Sequence, residues 1–422
     1  MSVYDRWHLT HPPAGTQPCK CGRGRNKLYP SADHEQGKRW QVRYRDDTGR
    51  QKKANFADRY GDNPAVHAEA FDADNTAKLN SGGWTDPAAG KVSLSDYARQ
   101  WRAGQTADPA TLRVYDGRLK HIHGTAFGQQ PMSLLAKRPS MVQQWVKGLD
   151  LAPATVRHAV GVLSMIFNAA IQDGIVARNP VHATSVVKPP KVVRRSIVPW
   201  TLEQVEAARA AMDDRYRATV DLGAGCGMRQ GEIFAVEQSA VDFLHREVHV
   251  RLQVRIIDNQ LVFSLPKGGK ERTVPLDEQV QMALAAHIAA CPPVEVTLPW
   301  VGPGKAKSRT ALLLFTRPGG QALHQALFND QQWRPARRAA GVAQGRENGM
   351  HGLRHTFASA CLAGGVDIRT LADWLGHSDP GFTLRTYTHL MPSAADRGRQ
   401  ALAAFWSGGA ASALDVPSRK AK

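Results

Sequence analysis

His351-Gly352-Leu353-Arg354-His355, then Leu375-Gly376-His377, then Tyr387 within Thr386-Tyr387-Thr388-His389, decide how the second half of this chain is read. Two further pieces stand upstream of them. Gly227-Met228-Arg229-Gln230-Gly231-Glu232 falls at the end of one predicted helix and the start of the next, and Pro266-Lys267-Gly268-Gly269-Lys270-Glu271-Arg272 falls in a predicted hairpin turn. Taken singly, each has a plain reading. An Arg after Gly is a surface residue, a Lys in a Gly turn is solvated, and a Tyr in a helix belongs to a core. Their joint order and separations make coincidence a poor account.

The chemistry open to these residue types follows from their charges. A phenol with a pKa of about 10 is a poor nucleophile at neutral pH and needs a proton acceptor or an electropositive site. Phosphoryl transfer concentrates negative charge on non-bridging oxygens, which two guanidinium forks are suited to clamp. Arg229 and Arg354 fit that task. His351 precedes Arg354 by three residues, shares its helix face and can handle the Tyr387 proton. His377 can donate a hydrogen bond to a phosphate oxygen. Glu232 is expected to orient the arginine or a neighbouring helix, and His355 is read as structural. The constellation has no carboxylate cluster of the kind that holds Mg²⁺ and no Gly-rich ATP loop, so neither metal nor other cofactor is expected.

Composition narrows the setting. The 422 residues carry 55 Lys and Arg against 37 Asp and Glu, a formal charge of +18. That excess favours a polyanionic partner such as nucleic acid. Such a length suggests two to four domains of about 100–200 residues. No apolar run of membrane-spanning length and no secretory signal core at the start are expected, and five cysteines do not make a disulfide scaffold. A cytoplasmic protein is therefore expected, nucleoid-associated when bound to DNA.

The fold class expected is multidomain, with a small α+β unit, an all-α domain and a mixed, mainly α (α+β) domain. Residues 1–90 form the first. Between Lys20 and Lys53, eleven basic residues stand against four acids, a net excess of seven. Trp40–Arg45 alternates as a strand with one buried face, Asp46–Gly49 turns, and Arg50–Phe56 returns; a helix over Pro64–Leu79 follows. Arg43, Arg45, Lys52 and Lys53 are candidate DNA contacts, the alternative being a solvated sheet face. Cys19-Lys20-Cys21 with His34 has an unusual spacing for zinc and no evident fourth ligand, so loop cysteines are expected. Residues 91–186 are helical, over Leu94–Ala103, Ala110–His121, Pro139–Leu149 and Pro153–Asp173. A Pro-rich connector, 187–199, carries Lys188, Lys191, Arg194 and Arg195 and reads as an extended strap across something negative. Residues 200–407 mix helices with strands over Arg246–Arg255 and Leu261–Pro275, and 408–422 read as a frayed tail.

From Trp200 onward the chain resembles the catalytic domain of the tyrosine recombinases, the phage-integrase family. Its signature is an Arg, a hairpin Lys, His-x-x-Arg, a His or Trp, and a Tyr; here these are Arg229, Lys267, His351, Arg354, His377 and Tyr387. Many relatives have one residue fewer between the second His and the Tyr, but no other Tyr follows His377. The resemblance implies a 3′-phosphotyrosine intermediate, with Lys267 as general acid toward the leaving 5′-oxygen and Lys270 and Arg272 as its rivals. It also implies a core-binding role for 91–186, an arm-binding role for 1–90, and a homotetramer on double-stranded DNA attachment sites. Accessory DNA-bending and directionality proteins are implied, and no membrane. The apolar stretch at 392–407 would pass to a neighbouring protomer or pack on its own domain. Two other readings stay open: a housekeeping chromosome-dimer resolvase of the same chemistry, and a catalytically idle DNA-binding regulator.

Overall fold

The computed structural model describes residues 2–21, 26–45, 50–80, 89–182, 184–192, 197–304, 306–387, 399, 402–403 and 405–407. The chain divides into two compact units, Met1–Val193 and Arg194–Lys422.

In the first unit the strands Trp40–Arg45 and Gln51–Phe56 pair antiparallel as the alternation predicts, with Arg43 opposite Lys53 and Tyr44 opposite Lys52. The Asp46–Gly49 turn lies outside the described residues. A third strand, Ser2–Asp5, pairs on the other side of Trp40–Arg45 and was not legible as a strand in so short a stretch. Val42 and Tyr44 face inward, where Phe71 of the Ala68–Asn80 helix packs edge-on to Tyr44 at 5.6 Å and against Phe56 at 5.0 Å. The core is small: Val42, Phe56 and Ala68 are its buried members. Between the strands Ser2–Asp5 and Trp40–Arg45, Leu9 N donates to Tyr29 O, Ser31 N to Trp7 O and Cys19 N to Leu28 O. These bonds fold Arg6–Lys38 back on itself and bring His8 to Cys19, Cys21 and His34. The fourth partner that the sequence does not show is therefore His8.

The helical part holds Leu94–Ala103, Pro109–Leu119, Met132–Lys137, Pro139–Gly148 and Pro153–Gln172. Met132–Lys137 is the addition to the expected set. Ser93 starts the first helix by accepting from Asp96 N, and Asp108 starts the second by accepting from Ala110 N. Pro153–Gln172 spans 20 residues and is apolar enough, by length and composition, to cross a membrane, which corrects the expectation of no such run. Its apolar stripe, including Val160, Leu163, Ile166 and Phe167, is taken by this bundle's core.

In the second unit the two long expected strands are each two strands in different sheets. Gln253–Ile257 and Gln260–Ser264 join Val294–Val301 and Ser308–Leu313, whereas Glu247–Val250 and Arg272–Pro275 pair with each other beside Val241–Asp242. The Lys267 turn is thus a crossing between sheets and not the tip of a hairpin. Helices surround these sheets. Two of them, Arg217–Cys226 and Ile368–Leu375, end on glycines in the left-handed region, Gly227 at φ 60° and Gly376 at φ 63°. Asp367 starts the latter helix by accepting from Arg369 N and Thr370 N.

Gly227 is held by more than its dihedral, since a Cβ there would sit 2.4 Å from Phe357 Cδ1. Gly268, at φ 86°, has open space around it. Gly268→Ala should therefore cost only the left-handed term, about 1–2 kcal/mol. Gly227→Ala should cost clearly more, read as a larger fall in the urea midpoint of the second unit. Equal midpoints for the two variants would contradict this account of Gly227.

Candidate active site

Arg354, on the His351–Ala363 helix, is 1% exposed. Its Nη1 donates to Gly227 O at 2.8 Å, and its Nη2 donates to Leu375 O and to His377 Nε2, the latter at 3.1 Å. Both carbonyls lie at helix C-termini, where the partial negative charge of the helix suits a cation. The two left-handed glycines therefore build the cradle for this guanidinium. Burial, then the positive charge of Arg229, lowers its pKa to about 9, which leaves it protonated at neutral pH. Three of its N–H donors are committed in these contacts, out of the five a guanidinium carries.

Glu232 organises the other cations. The carboxylate is fully buried and accepts from Arg229 N at 2.8 Å and Arg229 Nη1 at 2.9 Å. From the far side Arg272 donates Nη1 at 3.0 Å and Nη2 at 2.6 Å, while its Nε donates to Trp374 O at 2.6 Å. Burial alone would raise the carboxyl pKa, but the bonds and charge of Arg272, with the charge of Arg229, bring it down to about 2. One carboxylate thus faces Arg229, Arg272 and the nearby charge of Arg354. The cluster is electropositive and short of an anion.

Tyr387 ends the Pro380–Tyr387 helix and is 1% exposed. Its hydroxyl lies 2.8 Å from His355 Nδ1. The sequence leaves His355 out of the chemistry and gives the phenol proton to His351. The structure instead puts His355 against the hydroxyl, with the His351 ring edge-on to His355 at 4.7 Å. The spacing of His351, Arg354 and His355 is the signal that could have found it, since all three share one helix face. Burial raises the Tyr387 pKa to about 12 against the opposing charges of Arg354 and Arg229. Burial and Arg354 lower His355 to about 4, so its imidazole is neutral and able to accept a proton. His351 is also lowered to about 4, by desolvation and by His355, Arg354 and Arg229, although the residue as a whole is exposed. His377 bonds Thr383 Oγ1 through Nδ1 at 2.8 Å. With Arg354 donating to its Nε2, that nitrogen is an acceptor here, so donation to a phosphate oxygen requires the ring to exchange this partner.

Lys267 is exposed on its turn, and among the described residues no hydrogen bond or ion pair joins it to the cluster. Of its rivals, Arg272 is locked to Glu232 and only Lys270 is similarly exposed. Of the candidate DNA contacts, Arg43, Arg45 and Lys53 are exposed, and Lys52 falls on the opposite face of the sheet with Tyr44. Lys188 and Lys191 are described and exposed on one side of the connector's Pro pair and at its end, respectively; Arg194 and Arg195 lie outside the described residues. A surface cavity lined by Asn329, Trp333, Arg334, Arg337 and Arg338 shares no residue with the cluster.

Residues 200–393 match the phage integrase family, a span that takes in every member of this cluster. The chain is 28% identical over 363 residues to a putative prophage phiRv2 integrase of Mycobacterium tuberculosis, covering 83% of this chain and 88% of that one. Residues 200–393 belong to the phage integrase family of tyrosine recombinases. It is also 24% identical to a XerC-like tyrosine recombinase of Caldanaerobacter subterraneus, over 71% of this chain and 80% of that one. Among solved structures, the recombinase shares its fold with the Tn1549 transposon integrase, described in complex with a circular intermediate DNA. That likeness has a TM-score of 0.60 at 20% identity and covers 74% of this chain and 99% of that one.

The histidine shifts make the recombinase's stability depend on pH. For His351, His355 and His377 the folded pKa, about 4, 4 and 3, lies below the ordinary 6.5. As pH falls through 6.5 the unfolded chain takes up these protons first, so their contribution is full above that value and lost progressively below it. The melting temperature of the second unit should fall between pH 7.5 and pH 5, and His355→Asn should flatten that fall. A pH-invariant melting temperature, measured by calorimetry, would contradict the assignment.

Proposed function

We propose that this tyrosine recombinase integrates or excises a phage or other mobile element, with Tyr387 as its nucleophile. The observation that carries the reading is the buried, anion-deficient cluster of Arg229, Arg272 and Arg354 around Glu232 beside a buried phenol. In the proposed step the Tyr387 oxygen bonds to the scissile phosphorus and its proton passes to a neutral imidazole, His355 in the resting geometry. The bond from phosphorus to the 5′-oxygen breaks, and Lys267 supplies that oxygen's proton. Arg229 and Arg354 bind the non-bridging oxygens. Attack of a 5′-hydroxyl on the phosphotyrosine reverses the step and rejoins the strand, conserving the bond energy without a nucleotide cofactor.

Tyr387→Phe should retain DNA binding and lose the covalent protein–DNA adduct on a nicked substrate run on a denaturing gel. Arg229→Ala and Arg354→Ala should each slow cleavage by about 10²–10³-fold or more, the usual loss for one preorganised donor to developing charge. An adduct that persists in the Phe variant would remove Tyr387 from its role. Near-normal cleavage by either Ala variant would remove that arginine.

The architecture proposed around this step is modular: arm binding by 1–90, core binding by 91–186, the 187–199 strap across the duplex, and catalysis by 200–407. The protein would act in the cytoplasm as a homotetramer on two attachment sites, assisted by DNA-bending and directionality proteins. The basic outer sheet face supports arm binding and favours an integrase over a resolvase. Leu402, Phe405 and Trp406 are 60%, 51% and 81% exposed, which supports exchange of this segment between protomers over packing on their own unit. Two truncations test the scheme. Removal of 1–85 should abolish a distal, steeply salt-dependent footprint while crossover cleavage persists. Removal of the chain from Ala401 onward should weaken four-protomer assembly more than single-site binding. Coincident footprints, or equal loss of assembly and site binding, would count against the corresponding module.

A further inference from the structure

Outside the catalytic cluster, one group of side chains has the donor set of a metal site. His8, Cys19, Cys21 and His34 each offer one ligand atom, and these four atoms all lie within 4.8 Å of one another. Cys21 Sγ and His34 Nε2 are already 3.3 Å apart. A tetrahedral zinc ion with bonds of about 2.3 Å to sulfur and about 2.0–2.1 Å to nitrogen sets ligand edges of roughly 3.3–3.8 Å. Closing the group around an ion therefore requires movements of about an ångström or less.

His8 supplies the second, independent sign. Its residue is 8% exposed, and its Nε2 is buried with no hydrogen-bond partner. A buried polar nitrogen left in that state is costly, and it calls for an occupant of the space it faces. Its other nitrogen, Nδ1, lies 2.8 Å from Asp5 Oδ2. That carboxylate is itself fixed by Arg39, with Nη2 at 2.7 Å and Nε at 3.1 Å, and by Trp7 N at 3.1 Å. A carboxylate accepting from Nδ1–H puts the lone pair on Nε2, which is how metal-bound imidazoles are oriented. The His8 and His34 rings meet edge to face at 5.2 Å, so they converge without stacking.

We infer that His8, Cys19, Cys21 and His34 form a structural zinc site that pins the Arg6–Lys38 segment to the edge of the N-terminal sheet. Two thiolates and two neutral imidazoles in a closed set of four suit zinc and leave no open position for catalysis. Binding forms two zinc–sulfur and two zinc–nitrogen bonds and releases the two thiol protons, with no redox change. The need is physical. Among the described residues the sheet and its helix bury few apolar side chains, Val42, Tyr44, Phe56 and Ala68, too few to order an inserted segment of this length, and small units of this kind are commonly stapled by disulfides or metal. The site is independent of the catalytic reading, because it lies in the other unit and shares no residue with the cluster.

The test uses the full-length protein, expressed and purified with zinc under reducing conditions. Elemental analysis should find one equivalent of zinc per chain, and replacement by Co²⁺ should produce thiolate-to-cobalt charge-transfer and tetrahedral d–d absorption. Cys21→Ser and His8→Asn should lose the bound zinc, whereas Cys291→Ser, in the other unit, should keep it. Asp5→Asn preserves all four ligands and should weaken zinc binding by about 10–100-fold, as loss of such outer partners does. That variant reads the site even if a ligand variant misfolds. Metal-free wild-type protein, a Cys19–Cys21 disulfide in place of free thiols, or full zinc retention by both Cys21→Ser and His8→Asn would overturn the assignment.

Discussion

The catalytic unit depends on the ion cluster at Glu232. A fully buried carboxylate is tolerated only when its charge is met, and here two guanidiniums and a backbone N–H meet it. Arg272 reaches it from the start of one strand, and Arg229 from the cap of the short Gln230–Ile233 helix, so the pair ties a sheet to a helix. Removing the carboxylate would leave buried cations facing each other, a far larger penalty than the loss of one surface ion pair. The same arrangement carries more positive than negative charge. Stability and the proposed phosphate binding would therefore draw on one set of residues: Glu232 fixes the guanidiniums in place, and the charge it leaves unmatched is what a phosphate would meet.

Tyr387 presents the opposite problem. Its hydroxyl is buried against His355, and burial pushes its pKa up to about 12. In this state the phenol is the wrong species for attack, and a free phenolate would be quenched by nothing but the arginines. A phosphodiester entering the cluster would change both conditions, because it would occupy the arginines and require the Tyr387 helix to present its oxygen. The neutral His355 and the raised phenol pKa together describe a phenol that keeps its proton in this state beside a group able to accept it. The 2.8 Å contact to His355 places a proton acceptor beside the hydroxyl, so in the proposed step the residue would serve proton transfer as well as packing.

Much of this was legible in the sequence, and the parts that were not share a cause. Arg229, Arg354, His377 and Tyr387 can be found because short-range spacing and glycine caps mark them. The expected helices of the 91–186 region recur with ends shifted by one or two residues, since apolar periodicity sets them locally. The sheets were another matter. Glu247–Val250 and Gln253–Ile257 are separated by two residues yet belong to different sheets: the second pairs with the adjoining Gln260–Ser264, whereas the first pairs with Arg272–Pro275, beyond that hairpin. The Glu232–Arg272 pair spans 40 positions, and His8 meets His34 only because the intervening chain folds back on itself. Lys52 shows the limit at the smallest scale: a charge run in a strand alternates faces, so adjacent lysines cannot both serve the same surface.

The N-terminal sheet carries the same logic of unmatched charge to a second surface. Arg43 and Lys53 stand directly opposite each other across two strands, an arrangement that ordinarily destabilises a sheet. The described partners of Arg43 are neutral: the Gln41 amide oxygen at 2.9 Å and the face of the Tyr4 ring at 4.8 Å. These contacts hold the guanidinium flat along the sheet without cancelling its charge. An isolated domain gains nothing from this, since replacing either cation by a neutral residue would relieve the repulsion. A polyanion laid across the face would turn the repulsion into attraction, and the release of its counterions would make that attraction strongly salt-dependent. Among the described residues, both the outer sheet face and the ion cluster therefore present positive charge of the kind that a phosphate backbone would meet.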